Sequence, residues 1–387
     1  MTERLSAQIA FLKRADALKT VERANTLLDQ SRPENSAEHS WHLALWALVM
    51  APLAGPGVQI DRVIRMLLLH DLVEIIVGDH PIHLSTDWTA VAEAEQSAAR
   101  DLFGLLPDDQ AKDFMALWQE FEADETADAR FAKILDRCQP LFQVLCSPQP
   151  RADHIDVVRG NLNGGRAAYL AETFPLAHQH AHALLSGSQP EANPFTTRLP
   201  FLTEADQLKS VMRASRLIAS DRFENSAEHS WHIMLYAWVL GEYGDAGVQI
   251  DRVLQMLLLH DIVEIDAGDH PIHGQVDHAA QEAKEQAAAQ RLFGLLPKDQ
   301  RAGFTALWQE FEDAQSTDAR FAKAVDRFQT PIANLANGGG SWVDYDVTYA
   351  QLEARVRPAI TTGALPLWDW LDPQLRSYFA AHAPETA

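Results

Sequence analysis

Cysteine is nearly absent from this sequence: Cys138 and Cys146 are the two among 387 residues, both in the first half. No disulfide framework and no thiolate zinc site is implied, so buried free thiols in a reducing cytoplasm are the expectation. Long apolar runs are missing as well. The longest, Leu43 to Gly55, falls far short of the roughly 20 residues that span a bilayer. The amino-terminal MTERLSAQIAFLKRAD interleaves charge with apolar residues, as an amphipathic helix does and a secretory signal does not. Positive charge is scarce: 32 Lys and Arg face 54 Asp and Glu, a formal charge of −22. Such a balance repels polyanions and argues against a nucleic-acid surface. A small anionic substrate remains compatible, because a metal ion and a few arginines reverse the field locally.

What is present is a repeat. ENSAEHSWH runs from Glu34 to His42 and again from Glu224 to His232, an offset of 190 positions that holds without a gap from Phe11 and Phe201 to Asp136 and Asp326. MLLLHD recurs at Met66 and Met256, GDHPIH at Gly78 and Gly268, and ALWQEFE at Ala116 and Ala306. So long a match means two copies of one fold rather than a solenoid of small units. The Pro-, Ser- and Asn-bearing stretch Ser186 to Pro200 has linker chemistry. The chain therefore divides into one copy at residues 1–187, a linker at 188–200 and a second copy at 201–387. The copies diverge after Asp136 and Asp326, where only the second has the GGGSW segment, Gly338 to Trp342.

The fold class expected is all-α, two tandem helical bundles forming a pseudo-dimer, with no alternating run long enough for a strand. Helices are expected over Ala37–Met50, opened by Asn35 and Ser36, and over Arg62–Ile76, capped by Asp61 and ended by Gly78. Others follow over Asp87–Phe103, from Pro107 with Phe114, Leu117, Trp118 and Phe121 on one face, and over Asp124–Leu145. Trp41, Trp46, Trp118, Trp231, Trp238 and Trp308 are candidates for packing between the copies or in the cores.

His70-Asp71 stands among Met66, Leu67, Leu68, Leu69, Leu72 and Val73. An Asp in such a setting is costly to bury unless something compensates its charge. Adjacent helix residues point roughly 100° apart, so both side chains can still meet one ion lying between them. His39 adds a second imidazole, and Asp136, in RFAKILDRCQPLF, a second carboxylate. A lone His-Asp pair is more often just a buried hydrogen-bonded pair. The full set repeats, however, as His229, His260, Asp261 and Asp326. Two nitrogens and two oxygens suit one Mn, Fe, Co, Ni or Zn ion per copy, and Ca less.

The pattern of Leu18-Lys19 with Arg23, Glu34 to Ser40, Met66 to Glu74 and Gly78-Asp79 resembles the HD-domain superfamily, in its 5′-deoxynucleotidase branch. Leu208-Lys209, Arg213, Glu224 to Ser230, Met256 to Glu264 and Gly268-Asp269 repeat it. The resemblance implies a metal-dependent phosphohydrolase acting on a nucleotide or similar small phosphate. Glu74, one turn after His70 on the same face of the expected helix, can reach a metal-bound water without being a ligand; the resemblance likewise makes Glu74 and Glu264 the general bases, and Asp79 and Asp269 would orient the nucleophile or protonate the leaving alkoxide. A bound divalent ion lowers the pKa of its water from near 16 to about 7, which supplies the nucleophile. Arg23 and Arg213 are the phosphate-binding candidates, joined by Lys133 and Lys323 near the last Asp. Ala24 and Ala214 depart from the branch where it has Trp or Thr, and so do the added His80, His83, His270 and His273. Two alternatives follow: a di-iron oxygenase that uses those histidines, or one copy, more readily the first, serving as a binding or structural module.

Overall fold

The computed structural model describes residues 2–81, 86–189, 191–274 and 277–382. The first half runs α1 (Thr2–Ala15), a hairpin of β1 (Glu22–Thr26) and β2 (Pro33–Asn35), α2 (Ser36–Met50), α3 (Ile60–Leu69), α4 (Glu74–Val77), α5 (Trp88–Phe103), α6 (Asp108–Ala123) and α7 (Ala127–Leu145). Its own ending is α8 (Ala152–Asn163), α9 (Leu170–Thr173) and α10 (Pro175–Leu185). The second half repeats the order with α11 (Leu199–Ala205), β3 (Met212–Arg216), β4 (Phe223–Asn225), α12 (Ser226–Val239), α13 (Ile250–Leu259), α14 (Glu264–Ala267), α15 (His278–Phe293), α16 (Lys298–Asp313) and α17 (Thr317–Ala336). It closes with α18 (Ser341–Asp344) and the long α19 (Tyr349–Ala381).

Helical class and duplication stand as expected, with five local corrections. Two short antiparallel hairpins join the helices; ERANT and PEN are too short and too polar to show alternation. Asn35 alone caps α2, through a capping box with Glu38, and Ser36 is the first helical residue. Gln59 precedes α3 without a side-chain cap, and Asp61 instead accepts a 2.6 Å hydrogen bond from Gln255 of the other half. The expected helix Arg62–Ile76 is broken at the His-Asp pair: the Leu72 amide donates to the Leu69 carbonyl and the Glu74 amide to that of Asp71. Such tightened i→i−3 turns inside a helix are favoured where side chains must be re-aimed. Farther on, Asp124 takes a left-handed conformation that closes α6, and Thr126 caps α7.

One apolar core runs through both halves. The central helix α2 packs on α3 and α7 and also on its counterpart α12, while α1 crosses to α12 and α11 to α2. The Trp41 indole N–H donates to the Leu258 carbonyl at 3.3 Å and that of Trp231 to the Leu68 carbonyl at 3.0 Å. Trp238 stacks on Phe114 at 4.3 Å between centroids. These indoles therefore sit on the seam, whereas Trp46 packs with Phe142 and Phe195. Truncating a buried Trp such as these costs about 3–5 kcal/mol. The two cysteines are free thiols. Among the described residues no helix is long and apolar enough to cross a membrane.

Candidate metal centre

The first centre forms where α2, the α3–α4 break and α7 converge. The capping box fixes the start of α2 and so the height of His39 one turn in. Its Nε2 lies 3.3 Å from Asp136 Oδ1. His70 Nε2 lies 3.0 Å from Asp71 Oδ1 and 4.0 Å from Asp136 Oδ1. In the second half the His229–Asp326 distance is 3.0 Å and the His260–Asp261 distance 2.9 Å. Ligand atoms of His39, His70 and Asp136 all lie within 4.8 Å of one another, as do those of His229, His260 and Asp261. Asp71 stands against His70 and Asp326 against His229 beside these three-residue clusters, so the eight candidate ligands lie in two places, four in each half.

The donor chemistry of each centre fits a cation. His70 Nδ1 stands 2.9 Å from the Leu67 carbonyl and His260 Nδ1 2.8 Å from that of Leu257. A carbonyl only accepts, so Nδ1 carries the proton and Nε2 presents a lone pair. Both Nε2 atoms are buried without a hydrogen-bond partner. Lone pairs of imidazole and carboxylate converging on one dry point repel unless a positive charge lies between them. The edges of Phe121 and Phe311 close over His70 and His260 at 5.2 and 5.0 Å. Against the opposing effect of burial, Arg137 and His39 hold Asp136 well below the usual carboxylate range.

Arg23 and Arg213 lie at these centres. Arg23 NH1 donates to Asp71 at 2.8 Å and stands 3.9 Å from Glu74, while Arg213 NH1 lies 3.2 Å from Asp261 and 3.7 Å from Asp269. Glu74 and Glu264 open α4 and α14, where each accepts a hydroxyl hydrogen bond, from Ser36 at 2.5 Å and Ser226 at 2.6 Å. They are therefore not one turn along a continuous helix from the histidines, yet the break brings them to the same place. Burial, reinforced by Asp71, pushes Glu74 well above the ordinary carboxylate range, and Glu264 shifts likewise beside Asp261. Burial also raises Asp79 and Asp269. Lys133 and Lys323 are less committed: each pairs with an acid across the groove, Glu122 at 2.8 Å and Glu312 at 3.1 Å. Each also covers a phenyl ring, Phe121 or Phe311, at 3.9 Å.

The added histidines do not enlarge the centre among the described residues. His80 Nδ1 turns to the Gly78 carbonyl and His270 Nδ1 to that of Gly268, and His273 faces Arg355. None of the three belongs to a cluster of metal-ligating groups. His83 lies outside the described residues.

Beside each centre opens a pocket. The first, about 410 Å³, takes its far wall from α8 with Val157, Val158 and Asn161. The second, about 200 Å³, is walled by Trp342, Tyr345 and Val356. The glycine run shapes that wall: Gly339 has φ +113°, and a Cβ there would meet the Tyr378 hydroxyl at 2.0 Å. Ala24 and Ala214 line their respective pockets.

Two further clusters of ligating groups, Asp16–Glu224–His232 and Glu34–His42–Asp206, are buried on the seam. Each already encloses a cation of the protein's own. Lys19 Nζ lies 2.5 Å from Asp16, 2.7 Å from Glu224 and 2.9 Å from His232. Lys209 contacts Asp206, Glu34 at 2.7 Å and His42 at 2.9 Å. Burial alone would lower these lysines, but the facing carboxylates outweigh it and raise them. In the sequence, Lys19, Lys209, Glu34 and Glu224 stand only as marks of resemblance.

A family model described as HD domain matches residues 15–178 and again residues 205–368. The chain belongs to the HD-domain family. Its HD domains are similar to the human 5′-deoxynucleotidase HDDC2, 32% identical over 136 residues that make up 35% of this chain and 65% of that protein. The Xenopus laevis HDDC2 is 33% identical over 138 residues, 35% of this chain and 67% of its own length. The 5′-deoxynucleotidase YfbR of Shigella flexneri is 27% identical over 154 residues, 37% of this chain and 76% of that protein. The match thus spans about two thirds of the curated relatives' length. A crystal structure of a protein from Magnetospirillum magnetotacticum MS-1, titled a predicted metal-dependent phosphohydrolase, is 45% identical and covers 49% of this chain and 94% of that one, with a TM-score of 0.47.

Proposed function

We propose that each HD domain of this chain is a metal-dependent phosphomonoesterase that releases phosphate from a nucleoside 5′-monophosphate, a deoxynucleotide first. The observation that carries this reading is the orphaned, buried Nε2 of His70 and of His260, each beside two carboxylates; His260, Asp261, Asp326 and Arg213 line the second pocket, and Asp136 and Arg23 line the first. The relatives named as 5′-deoxynucleotidases support the substrate class.

His39, His70, Asp71 and Asp136 would hold one divalent ion, Mn, Fe, Co, Ni or Zn, and His229, His260, Asp261 and Asp326 a second. Such an ion lowers the pKa of a water and polarises a phosphoryl oxygen. Arg23, tethered to Asp71, offers its remaining N–H groups to the phosphate and orients it. Glu74, held by Ser36 and raised by burial, is poised to take the proton of the attacking water. Asp79, raised by burial, is placed to return a proton to the leaving 5′ oxygen. Arg213, Glu264 and Asp269 play the same parts in the second half, with Lys133 and Lys323 at the groove edge. The boundaries 1–187, 188–200 and 201–387 are retained as the units, paired as a pseudo-dimer within one chain, and the free thiols suit a cytoplasmic setting.

The test is phosphate release from a panel of nucleoside monophosphates, sugar phosphates and phosphonates by protein reloaded with Mn or Co. Release from deoxynucleoside monophosphates is expected. A flat response over the whole panel with every metal refutes the reading.

A further inference from the structure

Each centre takes its donors from one half and is backed by a lysine from the other. Behind His39, the Glu34 carboxylate places Oε2 at 3.4 Å from Nδ1, the nitrogen facing away from the metal donors. Glu34 is fully buried, and its other oxygen is taken by Lys209, which arrives from the second half. The mirror arrangement sets Glu224 Oε2 at 3.4 Å from His229 Nδ1, with Lys19 of the first half on Oε1. Both lysine side chains are wholly inaccessible to solvent. Each is locked in turn by an Asp on its own half and by a His of the half it enters: Asp206 and His42 for Lys209, Asp16 and His232 for Lys19.

A carboxylate behind a metal-binding imidazole fixes the ring's tautomer and direction. A buried carboxylate without a counter-ion is too costly to keep in one place. We infer that Lys209 is a positioning residue for the first centre and Lys19 for the second: each holds the carboxylate that aims the first histidine of the opposite centre. The wiring is crossed, so the residue numbered in one half governs the metal site of the other. Glu34 and Glu224 belong to the same device. This inference rests on the metal-site reading but not on the substrate, and it gives a physical reason for two copies in one chain: a lone copy would leave Glu34 without its 2.7 Å partner Lys209 and, for a cation, with only the longer 3.9 Å contact to Arg23 Nε.

The experiment uses the full chain and the metal alone. Two parent variants each keep one centre: His260→Ala keeps the first, His70→Ala the second. Into each, Lys209→Met or Lys19→Met is placed, and Co²⁺ is titrated while its visible absorption and the metal content per chain are followed. In the His260→Ala parent, Lys209→Met is expected to weaken Co²⁺ binding about 10-fold or more beyond the effect of Lys19→Met. In the His70→Ala parent the order is expected to invert. Because a single lysine replacement strands a buried carboxylate, Glu34→Gln with Lys209→Met is the second variant: it removes both charges, so the fold is retained while Co²⁺ affinity at the first centre stays reduced. Co²⁺ binding by this double variant equal to its parent overturns the inference, as does an uncrossed pattern in which each lysine governs its own half. Absence of nucleotide hydrolysis with the crossed metal pattern intact would reject the proposed substrate and leave this inference standing.

Discussion

The two halves carry the same centre and different walls. From the β1–β2 hairpin to α7, and from the β3–β4 hairpin to α17, each donor has its counterpart 190 positions on, and the His39–Asp136 and His70–Asp71 distances, 3.3 and 3.0 Å, match those of His229–Asp326 and His260–Asp261, 3.0 and 2.9 Å, within 0.3 Å. Past that point the first pocket is bounded by α8, with Val157 and Val158 beside Asp153, His154 and Asn161, and the second by Trp342, Tyr345 and α19. The candidate metal centre leaves little room for rearrangement because four donors from three separate elements must meet within a few ångströms. The wall only has to fill space and touch a substrate. Duplication has therefore kept the centre and freed the wall, and the two sites are expected to share a reaction while ranking substrates differently.

The largest effect expected tests the shared part. His70→Ala and His260→Ala should each remove about one of two bound metals, and the double variant should leave neither metal nor phosphate release above background, read by elemental analysis and phosphate assay. Loss of all metal from one single variant would break the equivalence of the centres. Next, Glu74→Gln combined with Glu264→Gln should slow turnover by about 10²–10⁴-fold, the usual worth of a general base. Metal content should be unchanged, which separates proton transfer from ligation.

A smaller effect probes the unlike part. In the His70→Ala parent, Tyr345→Ala should raise KM for a nucleotide about 3- to 10-fold, the worth of one aromatic contact, with little change in kcat. An unaltered KM would place the base elsewhere than on that wall.

The smallest concerns the seam. His232 is held down to about 3 by burial and the Lys19 ammonium, and His42 is lowered likewise beside Lys209. Once unfolded, either imidazole titrates near 6.5 and binds its proton more readily than in the fold. Their contribution is therefore fully present above about pH 6.5 and is lost progressively as pH falls toward the folded value. In metal-free protein the Tm gap between wild type and a His42→Gln/His232→Gln variant should narrow from pH 7 to pH 5. A gap constant across that range would show that these rings do not titrate on unfolding.

Much of this was legible beforehand because the repeat turned weak signals into strong ones. His70-Asp71 alone reads as a buried pair; His39, His70-Asp71 and Asp136 twice at one offset read as a ligand set. Glu74 was reached by assuming an unbroken helix, which is wrong, yet it lands at the centre because the tightened turns after Leu69 rotate it there. The hairpins were missed because three- and five-residue polar strands carry no periodicity. Lys19 and Lys209 kept their role hidden, since nothing in DALKT or DQLKS says that the ammonium is buried against the other half.

Residue type and spacing by themselves determined the helical class and the duplication and marked the candidate donors, because apolar periodicity, capping chemistry and ligand-type side chains are local properties of the chain. Only the tertiary structure decided which carboxylate stands behind which histidine, where the helix breaks to aim its ligands, and that each half reaches under the other's centre. Those contacts join residues some 205 and 175 positions apart, and it is the packing of α2 against α12, not any local preference, that brings them within hydrogen-bond distance.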